Sequence, residues 1–129
     1  MAGPQRLYDG FFPGRSAIDS YGNGGFRFAD MSHRGSILAL PGGIHAWSAV
    51  TPADFTKEAF AAVFADPGPI ETLLIGTGHD IAGLPQALRW RFRDRRIGID
   101  LMQTGAAART YNILLAENRA VAAALLAVD

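Results

Sequence analysis

Two short segments carry the residue types best suited to binding or transforming a small ligand. Residues 76–80 supply two glycines, a histidine and an acid directly after an apolar run, and residues 104–109 begin a predicted helix. Free N–H groups at a helix start attract anions, and an arginine in the next turn would add positive charge. A histidine beside an aspartate could also transfer a proton. The candidate ligand site comprises Gly76, Gly78, His79, Asp80, Thr104, Gly105 and Arg109.

A purely structural interpretation explains the same residues. Gly76 and Gly78 would only turn the chain, and Thr104 would only cap a helix. Arg109 would form an ion pair with a nearby acid. The Gly-Thr-Gly sequence lacks the third glycine of a dinucleotide-binding fingerprint, and no helix follows it at once. Both interpretations stay open at this point.

A run of arginines is the main concentration of charge: Arg89, Arg91, Arg93, Arg95 and Arg96. Alternate positions lie about 200° apart on a helix, so these side chains spread around it instead of lining one stripe. The run is typical of a solvated helix with a basic end, and it also suits docking on an acidic protein or an anionic membrane surface. Trp90 and Phe92 alternate with the arginines, and this mixture of aromatic and basic residues resembles that of nucleic-acid-binding proteins. However, 12 basic and 12 acidic residues leave no net charge for a general affinity to nucleic acid.

Other kinds of active site have little support in the sequence. The absence of cysteine excludes disulfides, thiolate zinc sites and cysteine nucleophiles. The histidines, His33, His45 and His79, fall in different predicted elements without metal-ligand spacing. The glycine turn at residues 22–25 lacks the lysine of a phosphate loop, and no serine lies in a Gly-x-Ser-x-Gly motif. We therefore predict no catalytic residue, no metal and no cofactor.

The length and composition predict one folded domain. The chain has 129 residues, of which 49% are hydrophobic, enough to build a single core. Residues 1–16 are rich in proline, glycine and arginine and are predicted to be an irregular lead-in to a domain over residues 17–128. No apolar stretch is long enough for an export signal or a membrane span. We expect a soluble, cytoplasmic protein that does not span a membrane, with peripheral association left open.

The first half of the sequence has the pattern of antiparallel strands. Four short runs are predicted as strands: Ile18–Tyr21, Gly25–Ala29, Ser36–Leu40 and Ile44–Ala49. Glycine-rich turns separate the first run from the second and the third from the fourth, and the third and fourth runs are predicted to pair as a hairpin.

The second half alternates predicted helices and strands. A helix is predicted from Thr51 to about residue 65, followed by a strand over Ile70–Ile75, a helix over Pro85–Arg95, a strand over Ile97–Met102 and a long closing helix. A stripe of Tyr111, Leu114, Leu115, Val121 and Leu125 is predicted on the buried face of the closing helix. This alternation favours parallel strands joined by crossover helices. The predicted fold class is α/β, a single layered domain with a mixed sheet, antiparallel in its N-terminal half.

Four motifs together resemble a known family. They are SYGNGGF at residues 20–26, GSIL at 35–38, LIGTG at 74–78 and RTYNILL at 109–115, the last followed by Glu117 and Arg119. Their order and spacing resemble the uncharacterised family that includes the mitochondrial respiratory complex I assembly factor 3 and the adipogenesis-associated domain protein. The resemblance covers about residues 6–128. Many members have cysteine where this chain has Ala108, so a thiol-dependent role does not carry over.

The resemblance implies a layered α/β fold and no established catalytic reaction. It favours a non-enzymatic interaction or assembly-support protein with protein partners. The alternative is a binder of a small anion at the candidate site, or an enzyme that acts on such an anion there. The motifs also contain the candidate structural residues: Tyr21, Gly22, Gly24, Tyr111 and Asn112. We expect the Tyr111 ring to be buried. Asn112 lies about 100° away on the helix and is predicted to hydrogen-bond a neighbouring loop, such as the glycine turn.

Overall fold

The computed structural model describes residues 10–129, and its N-terminal half consists of strands. These are β1 (Phe11–Pro13), β2 (Ser20–Gly22), β3 (Gly25–Phe28), β4 (Met31–Arg34), β5 (Ser36–Leu40) and β6 (Gly43–Trp47). Strand β1 pairs antiparallel with β6, so the prediction of an irregular lead-in is wrong for residues 11–13. Residues 1–9 of that predicted lead-in lie outside the described part of the chain.

The predicted hairpin of β5 and β6 and the predicted glycine turn between β2 and β3 are confirmed. Strands β2 and β3 pair antiparallel across Asn23 and Gly24, whose φ angles are +53° and +81°. Such positive φ values are what a two-residue hairpin turn requires, and asparagine and glycine tolerate them best. Strands β5 and β6 pair antiparallel across Pro41 and Gly42.

The second half contains the helices and three more strands. A 3-10 turn (Pro52–Asp54) is followed by α1 (Ala61–Ala65), β7 (Thr72–Gly76), α2 (Gln86–Asp94), β8 (Gly98–Met102), α3 (Thr104–Ala116) and β9 (Val121–Leu125). No helix within residues 10–129 is both long and apolar enough to cross a membrane.

The predicted continuous helix from Thr51 to residue 65 is wrong. The segment is a single 3-10 turn followed, after Phe55, by the five-residue helix α1. Phe55 and Phe60 both contact the Trp47 ring, with centroid distances of 5.8 and 5.2 Å. In a continuous helix these two side chains would point about 140° apart. Packing both against Trp47 therefore breaks the helix between them.

The predicted long closing helix is also wrong beyond Ala116. Helix α3 ends in a left-handed turn at Asn118 (φ +62°), where the N–H of Arg119 donates to the carbonyl of Leu114 at 3.0 Å. This bond is the signature of a helix-ending Schellman motif. The following Val121–Leu125 run is strand β9, buried throughout, so Val121 and Leu125 lie in the sheet and not on the helix stripe.

The main sheet is mixed, as predicted, and its central strand is β9. The six strands are ordered β1-β6-β5-β9-β7-β8, and a second sheet is ordered β2-β3-β4. Strand β9 pairs antiparallel with β5 and parallel with β7, and β7 pairs parallel with β8. The predicted parallel relation of β7 and β8 is confirmed.

Two hydrophobic clusters lie on opposite faces of the main sheet. On one face the aromatic residues of the α1 region and α2, including Phe60 and Phe92, cover residues such as Leu73. On the other face α3 and the small sheet contribute Tyr111 and Phe28. The fold is therefore a layered α/β domain in which α2 and α3 lie on opposite sides of β8.

Candidate functional site

The two segments of the candidate ligand site meet, because β7 and β8 are parallel neighbours. The N–H of Thr104 donates to the carbonyl of Gly78 at 2.9 Å, and the N–H of Gly78 donates to Oγ1 of Thr104 at 3.0 Å. A parallel sheet brings the C-terminal ends of its strands to one edge, where α/β proteins commonly bind ligands. The predicted neighbourhood of the loop and the helix start is thus present.

Thr104 does not cap α3 as predicted. Gln103 occupies the N-cap position, and Thr104 is the first helical residue and is completely buried. Its hydroxyl donates to the carbonyl of Leu126 at 2.8 Å while accepting the bond from Gly78. The side chain therefore joins the end of β7, the start of α3 and the residue after β9, which leaves its hydroxyl committed within the protein.

The glycines of this junction permit close contact between elements. A Cβ at Gly76 would lie 2.9 Å from the Cα of Thr104, closer than any real contact. A Cβ at Gly105 would collide with the Tyr21 hydroxyl. The start of α3 therefore packs closely against β7 and against the small sheet, and both glycines allow this close packing because they have no side chain.

His79, Asp80 and Arg109 lie at the surface, outside this packed junction. A shallow cleft of about 390 Å³ opens beside the loop and is lined by His79, Asp80, Ile81, Met102, Gln103 and Ala106. Arg109 is not part of its wall. The structure therefore separates the candidate residues into a buried set that packs and an exposed set, and anion binding by them stays a prediction.

Thr77 is a residue of this loop that sequence reasoning missed. It is buried, its N–H donates to the carbonyl of Met102 at 2.9 Å, and its hydroxyl donates to the carbonyl of Asp80 at 2.5 Å. The hydroxyl also accepts the N–H of Ala82 at 3.2 Å. A threonine between two glycines was the available signal, since it can close such a loop on itself.

Tyr111 is completely buried, as predicted, and packs in the cluster between α3 and the small sheet. Its hydroxyl has no hydrogen-bond partner within residues 10–129. Burial raises the pKa of the Tyr111 hydroxyl above its usual 10.0, and the charge of Arg15 opposes this rise. The neutral ring is thus the form that the fold accommodates.

Asn112 makes the structural hydrogen bonds predicted for it, although with a different partner. Its Oδ1 accepts the N–H of Ile18 and its Nδ2 donates to the carbonyl of Ile18, both at 2.8 Å. The predicted glycine turn, where Gly22 and Gly24 have φ values of +121° and +81°, lies a few residues further along the same hairpin. Asn112 therefore holds the start of that hairpin in place. Tyr21 of the same segment contacts Gly105.

The arginines of the run are exposed and divide into two groups around α2. Arg91 and Arg95 lie over the Phe64 ring, with centroid distances of 5.2 and 5.3 Å, and Arg95 donates to the Phe64 carbonyl at 3.0 Å. Arg93 lies over Trp90 at 5.2 Å. Cation–π contacts of this kind orient a guanidinium without neutralising it.

None of these five arginines has a carboxylate within salt-bridge distance in the described part of the chain, where the ion pair found joins Arg119 to Glu117. Within the same residues no group of three histidines and acids is arranged to hold a metal ion. The charge of α2 is therefore available to an external anion.

A groove between α2 and β8 was not found from the sequence. Its volume is about 490 Å³, and it is lined by Gln86, Arg89, Trp90, Arg93, Arg96, Ile97, Gly98 and Ile99. Trp90, half exposed at 50%, gives it an apolar wall. The sequence signal was the large aromatic residue within the arginine run, but locating the groove required the sheet order.

Comparison with known proteins places these features in a family. An uncharacterised protein of Rhodobacter capsulatus is 43% identical over 115 residues, 89% of this chain and 87% of that protein. The mouse NADH dehydrogenase (ubiquinone) 1 alpha subcomplex assembly factor 3 is 33% identical over 89% of this chain, which spans 62% of the mouse protein. A crystal structure from Bartonella henselae, named as an outer membrane protein, matches with a TM-score of 0.87 and 55% identity over 92% of this chain and 99% of that chain. Residues 18–126 match the family described as protein of unknown function (DUF498/DUF598), and the chain belongs to that family.

Proposed function

We propose that this protein is a non-enzymatic interaction domain that supports the assembly of a partner protein in the cytoplasm, and that it binds this partner through α2. The observation that carries the proposal is the set of five exposed arginines on and just after α2, none with a carboxylate partner among residues 10–129. A solvent-exposed helix usually balances such a run with acids three or four residues away. Here Asp94 is the acidic residue within the run.

The relatives support the same kind of function. The mouse protein, 33% identical over 89% of this chain, is named as an assembly factor. An assembly factor acts by contacting other proteins, so an exposed, unneutralised surface is a feature that this function needs. The partner of the present chain would carry acidic residues on the surface that meets α2.

The cationic surface favours a protein partner over nucleic acid. The chain as a whole has no net charge, so the arginines create a local field that steers an acidic surface into place. Binding to nucleic acid depends on neutralising many phosphates along a strand, for which a patch confined to one short helix is small.

The proposal is tested with the variant Arg91→Gln/Arg93→Gln/Arg95→Gln. Affinity capture from nuclease-treated native lysate is compared for variant and wild type at low and at high salt, with circular dichroism as the check that both are folded. We expect the wild type to retain partner protein at low salt and the variant to retain several-fold less. Added salt should narrow the difference, because salt screens exposed charges.

Equal capture by the two proteins at low salt would contradict the proposal. Capture by the wild type that occurs from untreated lysate and is lost from nuclease-treated lysate would indicate nucleic acid instead. The cytoplasmic location is tested separately by fractionating cells that produce a tagged chain. Recovery in the membrane fraction would agree with the name of the Bartonella henselae relative and would contradict a cytoplasmic site of action.

A further inference from the structure

Strand β8 is an edge of the main sheet, and the backbone groups of two of its five residues face away from the sheet. It pairs with β7 alone in the described chain. The N–H of Gly98 donates to the backbone carbonyl of Glu71 at 2.8 Å, and the carbonyl of Met102 accepts the backbone N–H of Thr77 at 2.9 Å. In a parallel pair this register turns the N–H and carbonyl groups of Gly98, Asp100 and Met102 towards β7. The backbone groups of Ile99 and Leu101 therefore point outward.

An unprotected edge strand is a template for pairing with another chain. Proteins usually block such an edge with a proline, a bulge, an inward-facing charge or a covering loop. The β8 sequence, Gly-Ile-Asp-Leu-Met, has no proline, and its Ile99 and Leu101 side chains pack against the α2 face. Asp100 alternates to the opposite face of the sheet.

The groove between α2 and β8 runs beside this edge and is cationic. Arg89, Arg93 and Arg96 belong to its wall, with Trp90 and Ile99 as its apolar part. We call these three arginines the groove arginines. The two others of the run, Arg91 and Arg95, are held over Phe64 and line a different part of the surface.

The backbone of Arg96 is unusual and points to a use for its side chain. Helix α2 ends in a Schellman motif, in which the N–H of Ile97 donates to the carbonyl of Phe92 at 3.0 Å and Arg96 has a φ of +59°. Glycine or asparagine normally occupies this left-handed position, and α3 has Asn118 at its equivalent. A strained backbone is commonly retained where the side chain serves a function. Arg96 is one of the residues that line the groove.

We propose that the β8 edge accepts an extended acidic segment of a partner protein as an additional strand of the main sheet. The inference rests on the proposed function and specifies its partner chemistry. The backbone groups of Ile99 and Leu101 would bond the added strand, as in other cases of strand addition. Acidic residues at alternate positions of that strand would face the groove arginines, with their methylene groups on Trp90.

The test uses a short synthetic peptide that alternates glutamate and valine, with a lysine–valine peptide as its control. Amide hydrogen exchange is measured by NMR on the wild-type protein with and without peptide. We expect the acidic peptide to protect the amides of Ile99 and Leu101. The amides of Gly98, Asp100 and Met102, already bonded within the sheet, should change little. The lysine–valine peptide should protect neither set.

Two matched variants separate the groove from the general charge of α2. Replacing the groove arginines together by glutamine should weaken peptide binding about tenfold, the effect expected for three exposed ion pairs. Replacing Arg91 and Arg95 by glutamine should change the affinity for the acidic peptide less than twofold. Arg96→Gly should weaken binding while leaving the unfolding midpoint unchanged or higher, because glycine suits the left-handed position.

Four results would overturn the inference. Peptide binding without protection of Ile99 and Leu101 would indicate docking without strand addition. Equal losses in the two glutamine variants would indicate attraction to general charge. Self-association of the wild type that protects the same two amides would identify a second copy of this chain as the occupant. If the peptide fails to bind while Arg91→Gln/Arg93→Gln/Arg95→Gln still loses its partner, the strand addition is wrong and the proposed function stands.

Discussion

Replacing Thr104 by valine tests whether the loop–helix junction is a structural joint. Valine keeps the shape of the side chain, so no cavity forms, but it removes the hydroxyl that bonds Gly78 and Leu126. The Leu126 residue is 1% exposed, so its unpaired carbonyl should cost about 2 kcal/mol, near the middle of the range for a buried group. The half-buried Gly78 N–H should cost about 1 kcal/mol. We therefore expect Thr104→Val to lower the free energy of unfolding by about 3 kcal/mol.

Urea denaturation measures this difference. With a denaturant slope of about 1.5–2 kcal/mol/M, the midpoint should fall by about 1.5–2 M. Thr104→Ser is the matched control, since it keeps the hydroxyl and loses one methyl group, worth about 1 kcal/mol. If the valine variant unfolds at the wild-type midpoint, the two hydrogen bonds contribute nothing and Thr104 is not the joint described here.

Two further substitutions test the α3 side of the core. Tyr111→Ala should cost about 3–5 kcal/mol of stability, whereas Tyr111→Phe should cost less than about 0.5 kcal/mol at neutral pH, because the hydroxyl has no partner. Because the pKa of Tyr111 in the folded protein is raised above 10.0, the free energy of unfolding should fall as pH rises past 10.0, and Tyr111→Phe should reduce that fall. If the free energy of unfolding of the variant and of the wild type falls equally with pH above 10.0, this prediction is wrong. Asn112→Ala should cost about 2–3 kcal/mol in urea denaturation, because both polar groups of Ile18 lose their partner, and a midpoint within error of wild type would show that water replaces both bonds.

The sequence predicted the hairpin of β5 and β6 and the turn before β3 because their signals are local, and it predicted the parallel pair from the alternation of helices and strands. Positive φ is demanded at Asn23 and Gly24, and the residue types there permit it. The predicted strand over Ile70–Ile75 and the observed β7 differ by one or two residues at their ends, whereas the predicted and observed bounds of β5 coincide. Such boundaries depend on neighbouring strands, which local patterns do not contain.

The failure at β9 came from competition between local preference and burial. The run Val-Ala-Ala-Ala-Leu has three alanines, which favour a helix, and its spacing from Tyr111 fits a helical stripe. In the structure all five residues are buried between β5 and β7, where small side chains let layers close on both faces of the sheet. Tertiary packing outweighed propensity. The Glu-Asn-Arg sequence at residues 117–119 was the signal for a helix end.

The same error, the assignment of residues 121–125 to a helix, limited what could be predicted about the candidate site. Without β9 as a strand, the order of the main sheet cannot be written, and β8 cannot be identified as an edge. The partner of the Thr104 hydroxyl, the carbonyl of Leu126, was likewise placed on a helix and not beside β7. Sequence analysis therefore brought the right loop to the right helix start and could not show that the junction is filled.

The motifs that identify the family lie on one side of the molecule. The hairpin of residues 20–26, strand β5, the end of β7 and helix α3 meet around Tyr111 and Thr104, where each contact described above serves packing or hydrogen bonding within the chain. Helix α2 and strand β8, which carry the arginines and the sheet edge that have no partner within residues 10–129, lie outside those motifs. Similarity through the motifs therefore specifies the fold. Partner binding is a proposal, and we assign it to α2 and β8, which those motifs do not include.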